Sequence, residues 1–375
     1  MTRLYGIELT REELRRHAGR PEQLVGAELF ERSDGSERGV RCVRLRSGAI
    51  ELEVVVDRAL DLSQASVGGV PVAWISPTGV ASPWLAEMSG WEPFRTFVGG
   101  LLTTCGLEHT LGPLEDDASH FHYPGRPTHA FPLHGRLSAT PGRLTGYGID
   151  WQRGCVFCRG DVRQANVFGE TLTLEREVRI RLGGRTIELD DVVRNDGFAP
   201  TPHMLLYHVN VGWPVLGEHA EVVAAVGEPR FATPAAEGAD WHAIEPPRFP
   251  FAEQVWEHTP LARADGRGRA AILNSDIGDG RAVGVELEWS LATLPNLFQW
   301  RVMSEQNYVV GLEPGNAPIE GRVKAREQGT LVTLQPGEER RTDLRITLHD
   351  DGAGLAAARG RIATTDHRGG ARDGR

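Results

Sequence analysis

The chain has 375 residues, 25% of them charged and 40% hydrophobic, with a formal net charge of −10. That length holds one large core or two domains, and the composition is that of a globular protein rather than a disordered or fibrous one. The acidic balance argues against a nucleic-acid partner, no apolar run is long enough to span a bilayer, and the polar residues after the first four do not read as a secretory leader.

Residues 10–19 are predicted as a short helix. Thr10 can cap it, Glu12 and Glu13 suit its positive end, Arg15, Arg16 and His17 suit the other, and Gly19 stops it. The pattern then changes to strands. Residues 39–46 and 49–56 flank Ser47–Gly48 as a hairpin, and DRALD at 57–61 closes the second strand. Residues 75–100 form a long loop holding Trp84, Trp91, Phe94 and Phe97. A loop this long in a compact domain is usually functional; its rings either stack on a sugar or simply pack, and packing is the commoner use.

Residues 101–111 read as an apolar strand entering a glycine turn. Cys105, near His109, is a conceivable nucleophile but sits where cysteines usually pack. Residues 115–132 are rich in Asp, Pro and His. His120 and His122, with Asp116, Asp117 and His129 nearby, have metal-ligand chemistry, but their loose spacing on a loop favours a solvated or substrate-facing segment, and no metal is assigned. In PLHGR, residues 132–136, Gly135 permits a tight turn between His134 and Arg136. Those two offer donors for hydroxyl or phosphate oxygens, or else form a structural pair. Cys155 and Cys158, spaced CxxC without a second pair, read as structural thiols in a reduced, cytoplasmic setting.

From 139 to 195 the alternation is that of antiparallel sheet, with turns at Gly183–Gly184 and Asn195–Gly197. Residues 203–214, HMLLYHVNVGWP, read as a buried strand carrying His208 and Asn210 on one face. Residues 227–264 look like a Pro-rich, unpatterned insertion. Strands follow at 269–274, 281–290, 297–302, 308–312, 329–334 and 341–349, then a short helix at 354–363 and a polar tail at 364–375 expected to be mobile. No βαβ alternation, dinucleotide fingerprint or P-loop appears. The expected layout is a lead-in helix and strand at 1–38, one all-β domain at 39–350, and a terminal helix and tail at 351–375.

A polar pair on an apolar strand needs a partner or a ligand. Residues 308–318, YVVGLEPGNAP, supply a counterpart, because Glu313 arrives where Pro314 and Gly315 end a strand. A carboxylate and an imidazole presented from a sheet are the minimum set for general acid–base chemistry.

The motifs DRALD at 57–61, GGLLTTCGL at 99–107, PLHGR at 132–136, LYHVN at 206–210 and GLEPG at 311–315 occur in an order that resembles the galactose mutarotase-like superfamily. These are the aldose 1-epimerases and hexose-6-phosphate epimerases, and the chain is most similar to a separate branch of aldose 1-epimerase family proteins. The resemblance covers roughly residues 39–349. It implies a large antiparallel β-sandwich, the galactose mutarotase-like supersandwich, with a few short helices. It also implies a carbohydrate substrate in an open cleft and no cofactor. By the resemblance His208 takes the place of the acid that protonates the ring oxygen, and Glu313 that of the base at the anomeric hydroxyl. His134, Arg58, Arg136 and Asn210 fall among substrate-binding groups; Arg136 resembles the arginine of the phosphosugar branch, and Asn210 alternatively orients His208. The sequence departs from the pattern at Tyr207, where the family's usual residue is asparagine, and in the missing aromatic pair after the histidine. Burial is expected to raise the carboxyl, and the carboxylate to raise the imidazole. A different proton transfer on a keto-sugar derivative, or sugar binding without catalysis, fits the same residues. No nucleic-acid or membrane partner is expected, and pairing as a homodimer is left open.

Overall fold

The computed structural model describes residues 2–363; the expected tail at 364–375 lies outside them. Three antiparallel sheets carry the architecture, and the α-helices among the described residues are short: Arg11–His17, Gly321–Glu327 and Gly352–Ala363. The antiparallel sheet expected from the alternation forms, and so does the β-sandwich that the resemblance implies. One layer is an eight-stranded sheet that includes Cys155–Ala165, Thr171–Arg181, Thr186–Asn195 and Glu339–His349. A six-stranded and a five-stranded sheet pack on it, and two isolated antiparallel bridges, Leu62↔Leu102 and Ala73↔Val211, join these to each other. One hydrophobic cluster runs through all three sheets, from Val43 and Leu52 through Leu172 and Val178 to Leu205 and Leu312. Each such side chain contributes about 1.5–3 kcal/mol when fully buried.

The period of two decides which residues meet. On Met204–Val211 every residue is buried, yet the two faces differ. Leu205, Tyr207, Val209 and Val211 join the core, and the Tyr207 hydroxyl donates to Asp191 of the eight-stranded sheet at 2.6 Å. That explains a tyrosine before His208: it faces the opposite layer, where Arg176 bonds Asp61, Asp191 and Thr104. His208 and Asn210 occupy the other face, as the alternation predicts.

The first helix begins with a complete capping box between Thr10 and Glu13. Other segments differ from expectation. Residues 115–132 are not a plain loop: Leu114–Asp117 and Thr128–Phe131 pair as a hairpin. The insertion at 227–264 contains the strand Gln254–His258, which joins the six-stranded sheet beside Asn296–Ser304. Its alternation was hidden because Glu253, Val255 and Glu257 mix charge and hydrocarbon on one face. Residues 329–334 do not complete the main sheet; only Thr333–Leu334 is extended, paired with Thr201–Pro202, after the unforeseen helix Gly321–Glu327. No helix among the described residues is long and apolar enough to cross a membrane.

Candidate active site

The six-stranded sheet places the two candidate acid–base residues side by side. Met204–Val211 and Asn307–Gly315 run antiparallel with Val209 opposite Leu312 and Asn210 opposite Gly311. The same register sets His208 directly across from Glu313, on the face away from the core. His208 Nε2 lies 3.1 Å from Glu313 Oε1, and both side chains are 5% exposed. The approach is close, but neither Glu313 Oε1 nor His208 Nδ1 has a hydrogen-bond partner. Buried polar atoms left open in this way call for a specific explanation. Phe298 continues the row beyond Glu313, and Trp300 stands opposite Gly311.

Burial governs the electrostatics. It holds His208 well below the usual imidazole range, with His134 acting in the same direction and the Asn210 amide against it. Burial also raises the Glu313 carboxyl to about 8, and the carboxylate of Glu253 adds to the rise. The expectation that the carboxylate would lift the imidazole is therefore corrected. Desolvation dominates at both groups, so the resting pair is a neutral imidazole beside a carboxylic acid. Between them the two groups hold one proton.

His134 is delivered by a strained turn. Its φ is 59° and that of Gly135 is 74°. A Cβ on Gly135 would stand 2.4 Å from the Gly106 carbonyl oxygen, so only glycine fits. The His134 backbone is pinned from both sides, its N–H donating to the Leu111 carbonyl at 2.7 Å and its carbonyl accepting from Gly106 at 3.0 Å. Nδ1 accepts from the Leu111 N–H at 3.3 Å, which leaves the ring proton on Nε2. The ring meets His208 edge to face at 5.6 Å, and burial lowers its pKa to about 4.

These residues form the floor of a cleft of about 680 Å³, a volume typical of small-molecule sites. Its walls are mainly aromatic. Phe97 and Trp300 contact the His208 ring at 5.6 and 5.4 Å, and Trp74 bridges them. Phe94 lies 6.4 Å from Phe97, and Trp91 stacks on Phe94 at 5.8 Å with planes 13° apart. In the long loop Phe97 packs on His208, while Trp91 and Phe94 stand largely exposed on the cleft. Glu253 sits at the exposed edge and accepts from the Trp300 indole N–H at 3.2 Å. Sequence reasoning missed Glu253, Trp300 and Gly311; alternation along 297–302 was the one available signal.

Three other candidates lie behind the wall rather than on it. Arg58 is buried and donates to the Ala81 and Ser138 carbonyls, with Nη2 left without a partner, in a small cavity of about 20 Å³ that His134 also lines. Arg136 bonds Glu108 at 3.2 Å, His129 at 3.2 Å and the Ala130 carbonyl at 3.0 Å. Asn210 is fully buried and donates to the His208 carbonyl at 2.9 Å. The acidic and histidine-rich segment is tied into ion pairs as well, with Arg322 on Asp116 at 2.7 Å, and no cluster suited to a metal ion occurs among the described residues. Cys105 is fully buried against Leu206 and Phe298, and all four cysteines are free.

A family model described as a domain of unknown function, DUF4432, matches residues 37–348. No curated protein matches the chain. Among solved structures, a candidate aldose 1-epimerase from Klebsiella pneumoniae superposes with a TM-score of 0.80 at 25% identity, over 90% of this chain and 86% of that one. A galactose mutarotase-like protein from Clostridium acetobutylicum gives 0.59 at 13% identity, over 88% and 99%. A galactose 1-epimerase from Lactobacillus acidophilus gives 0.55 at 12%, over 87% and 99%. These likenesses extend across the sheets described above.

Proposed function

The chain belongs to the DUF4432 family and has a galactose mutarotase-like fold, and from that footing we propose that it is a cofactor-independent aldose 1-epimerase-like isomerase. It would interconvert the anomers of a free or derivatised sugar. The observation that carries this reading is the cross-strand pair, His208 Nε2 and Glu313 Oε1 at 3.1 Å, with open polar atoms on the floor of an aromatic cleft. The anomeric hydroxyl and the ring oxygen hang on one carbon, so two adjoining groups can reach both.

The pair needs one proton and keeps one. When the sugar's anomeric hydroxyl donates to Glu313, the charged form of the carboxyl gains a partner, and the proton moves to His208. Glu313 then takes the O1 proton while His208 gives its proton to the ring oxygen. The C1–O5 bond breaks, leaving an aldehyde and a hydroxyl. After rotation about C1–C2, His208 removes the O5 proton, O5 attacks the other face of C1, and Glu313 returns a proton to O1. Protons balance over the cycle, and carbon-bound hydrogen is not exchanged. His134 Nε2–H is placed to hold the sugar, and Asn210 orients His208 from behind.

Exchange spectroscopy by NMR on reducing sugars tests this. Catalysed α–β exchange that is lost in Glu313→Gln and His208→Asn supports it. Sugar binding without exchange would sink it in favour of a binding protein. Deuterium entering carbon from solvent would sink it in favour of an enolising enzyme.

A further inference from the structure

The cleft carries information about the class of sugar it accepts. No lysine or arginine occurs among the described residues that line it, whereas Glu253 and Glu313 both do. The arginine expected for phosphate, Arg136, is occupied by Glu108 and His129 away from the cleft. A sugar phosphate or uronate would therefore lose water without gaining a cation, and would face an exposed carboxylate.

The walls point the same way. An unbroken series of rings leads from His208 through Phe97 and Phe94 to Trp91. Its outer end is bare: Trp91 is 60% exposed and Phe94 54%. Both rings line the cleft, so uncovered hydrocarbon borders the ligand space. The volume of about 680 Å³ lies in the range of drug-sized ligands, beyond what one pyranose ring fills. A hydroxylated ring can lay its C–H face on one such ring; an added alkyl or aryl group gains further buried area on the next.

Building on the isomerase reading, we propose that the preferred substrate is an uncharged sugar bearing an apolar substituent, with its anomeric carbon over His208 and Glu313 and its substituent on the Trp91–Phe94 pair. The substituent sits on a position other than C1, because mutarotation needs a free anomeric hydroxyl. Glu253 keeps anionic sugars out.

The test compares anomer exchange and calorimetric binding for D-galactose, 6-deoxy-D-galactose, 6-O-benzyl-D-galactose, D-galactose 6-phosphate and D-galacturonate, with the matching gluco series. The deoxy or benzyl sugars should exceed the parent hexose in kcat/KM by about tenfold, the value of one good aromatic contact, and the anions should fall below it. In Trp91→Ala the benzyl-to-parent ratio should drop by a similar factor, and in Glu253→Gln the penalty on the phosphate should shrink. A phosphate that matches or exceeds the parent overturns the proposal, as does a Trp91→Ala variant that slows every sugar alike. If no sugar exchanges, the isomerase reading fails, and the calorimetric ranking of the same ligands still decides the substrate class.

Discussion

Gly311 clears the space in which the Glu313 carboxylate lies: a Cβ at Gly311 would stand 2.6 Å from Glu313 Oε1 and 3.1 Å from His208 Cε1. The glycine is not there for its backbone freedom, since its φ is not left-handed. It is there for room.

Gly311→Ala should therefore move the carboxylate and leave the sheet intact. The clash is with the end of a flexible side chain, so stability should change by about 1 kcal/mol or less. A displacement on the order of 1 Å at the reacting group should lower kcat by about 100-fold. Thermal melts alongside exchange kinetics check both halves, and an unaltered kcat would mean that Glu313 takes no part in the reaction.

The pH dependence of the rate follows from the shared proton. Activity should persist to about pH 8, where Glu313 loses its proton, and then fall about tenfold per unit. The acid limb should lie well below the ordinary histidine range, because burial depresses His208. Since Glu253 adds to the rise at Glu313, Glu253→Gln should move the basic limb to lower pH, by only a few tenths because Glu253 is exposed. A profile of kcat/KM in the free enzyme reads both limbs.

Stability should run against activity at Glu313. Its carboxyl has a folded pKa of about 8 against an ordinary glutamate value of 4.5. Between those values the folded chain holds a proton that the unfolded chain has lost, so stability is fully present below pH 4.5 and declines as pH rises to about 8. Glu313→Gln removes the penalty. The variant should be more stable than the parent at pH 8 by on the order of a few kcal/mol, with the gap closing below pH 5. Urea unfolding at the two pH values would show it, and a variant destabilised at pH 8 would contradict it.

Arg136→Ala should behave as a packing mutant and not as a binding mutant. Burial and Glu170 already raise Glu108 to about 7, and removing the nearby cation leaves that carboxyl with Gln164 as its close partner. Arg136 is partly exposed, so the loss should be about 1–3 kcal/mol, less than for a fully buried pair. KM of the folded variant should not change. A selective loss of affinity for sugar phosphates would place Arg136 in the cleft after all.

The strands with strict alternation were readable because one face is wet and the other dry. Thr171–Arg181 and Thr186–Asn195 are of that kind; the shared face of His208 and Asn210 followed from the period of two alone, since Met204–Val211 is buried throughout. What could not be read was lateral position. Periodicity says which face a residue takes but not which strand lies beside it, so nothing local to His208 announced that Glu313, far along the chain, stands across the ladder. Side-chain reach was equally hidden: Arg136 and Arg58 have the chemistry of ligand binders, yet Glu108 and the Ala81 and Ser138 carbonyls claim them first. Gln254–His258 went unrecognised because a cleft-lining strand carries charge where a core strand carries hydrocarbon.

The ladder between Met204–Val211 and Asn307–Gly315 sets His208 and Glu313 across from each other by main-chain pairing. The outer part of the ring-bearing wall comes from a different segment, the short 3₁₀ turn that holds Phe94 and follows Trp91. On the isomerase proposed above, the outer wall could then be rebuilt for a different sugar without moving the acid–base pair, so a drifting lineage would change its diet before it lost its reaction.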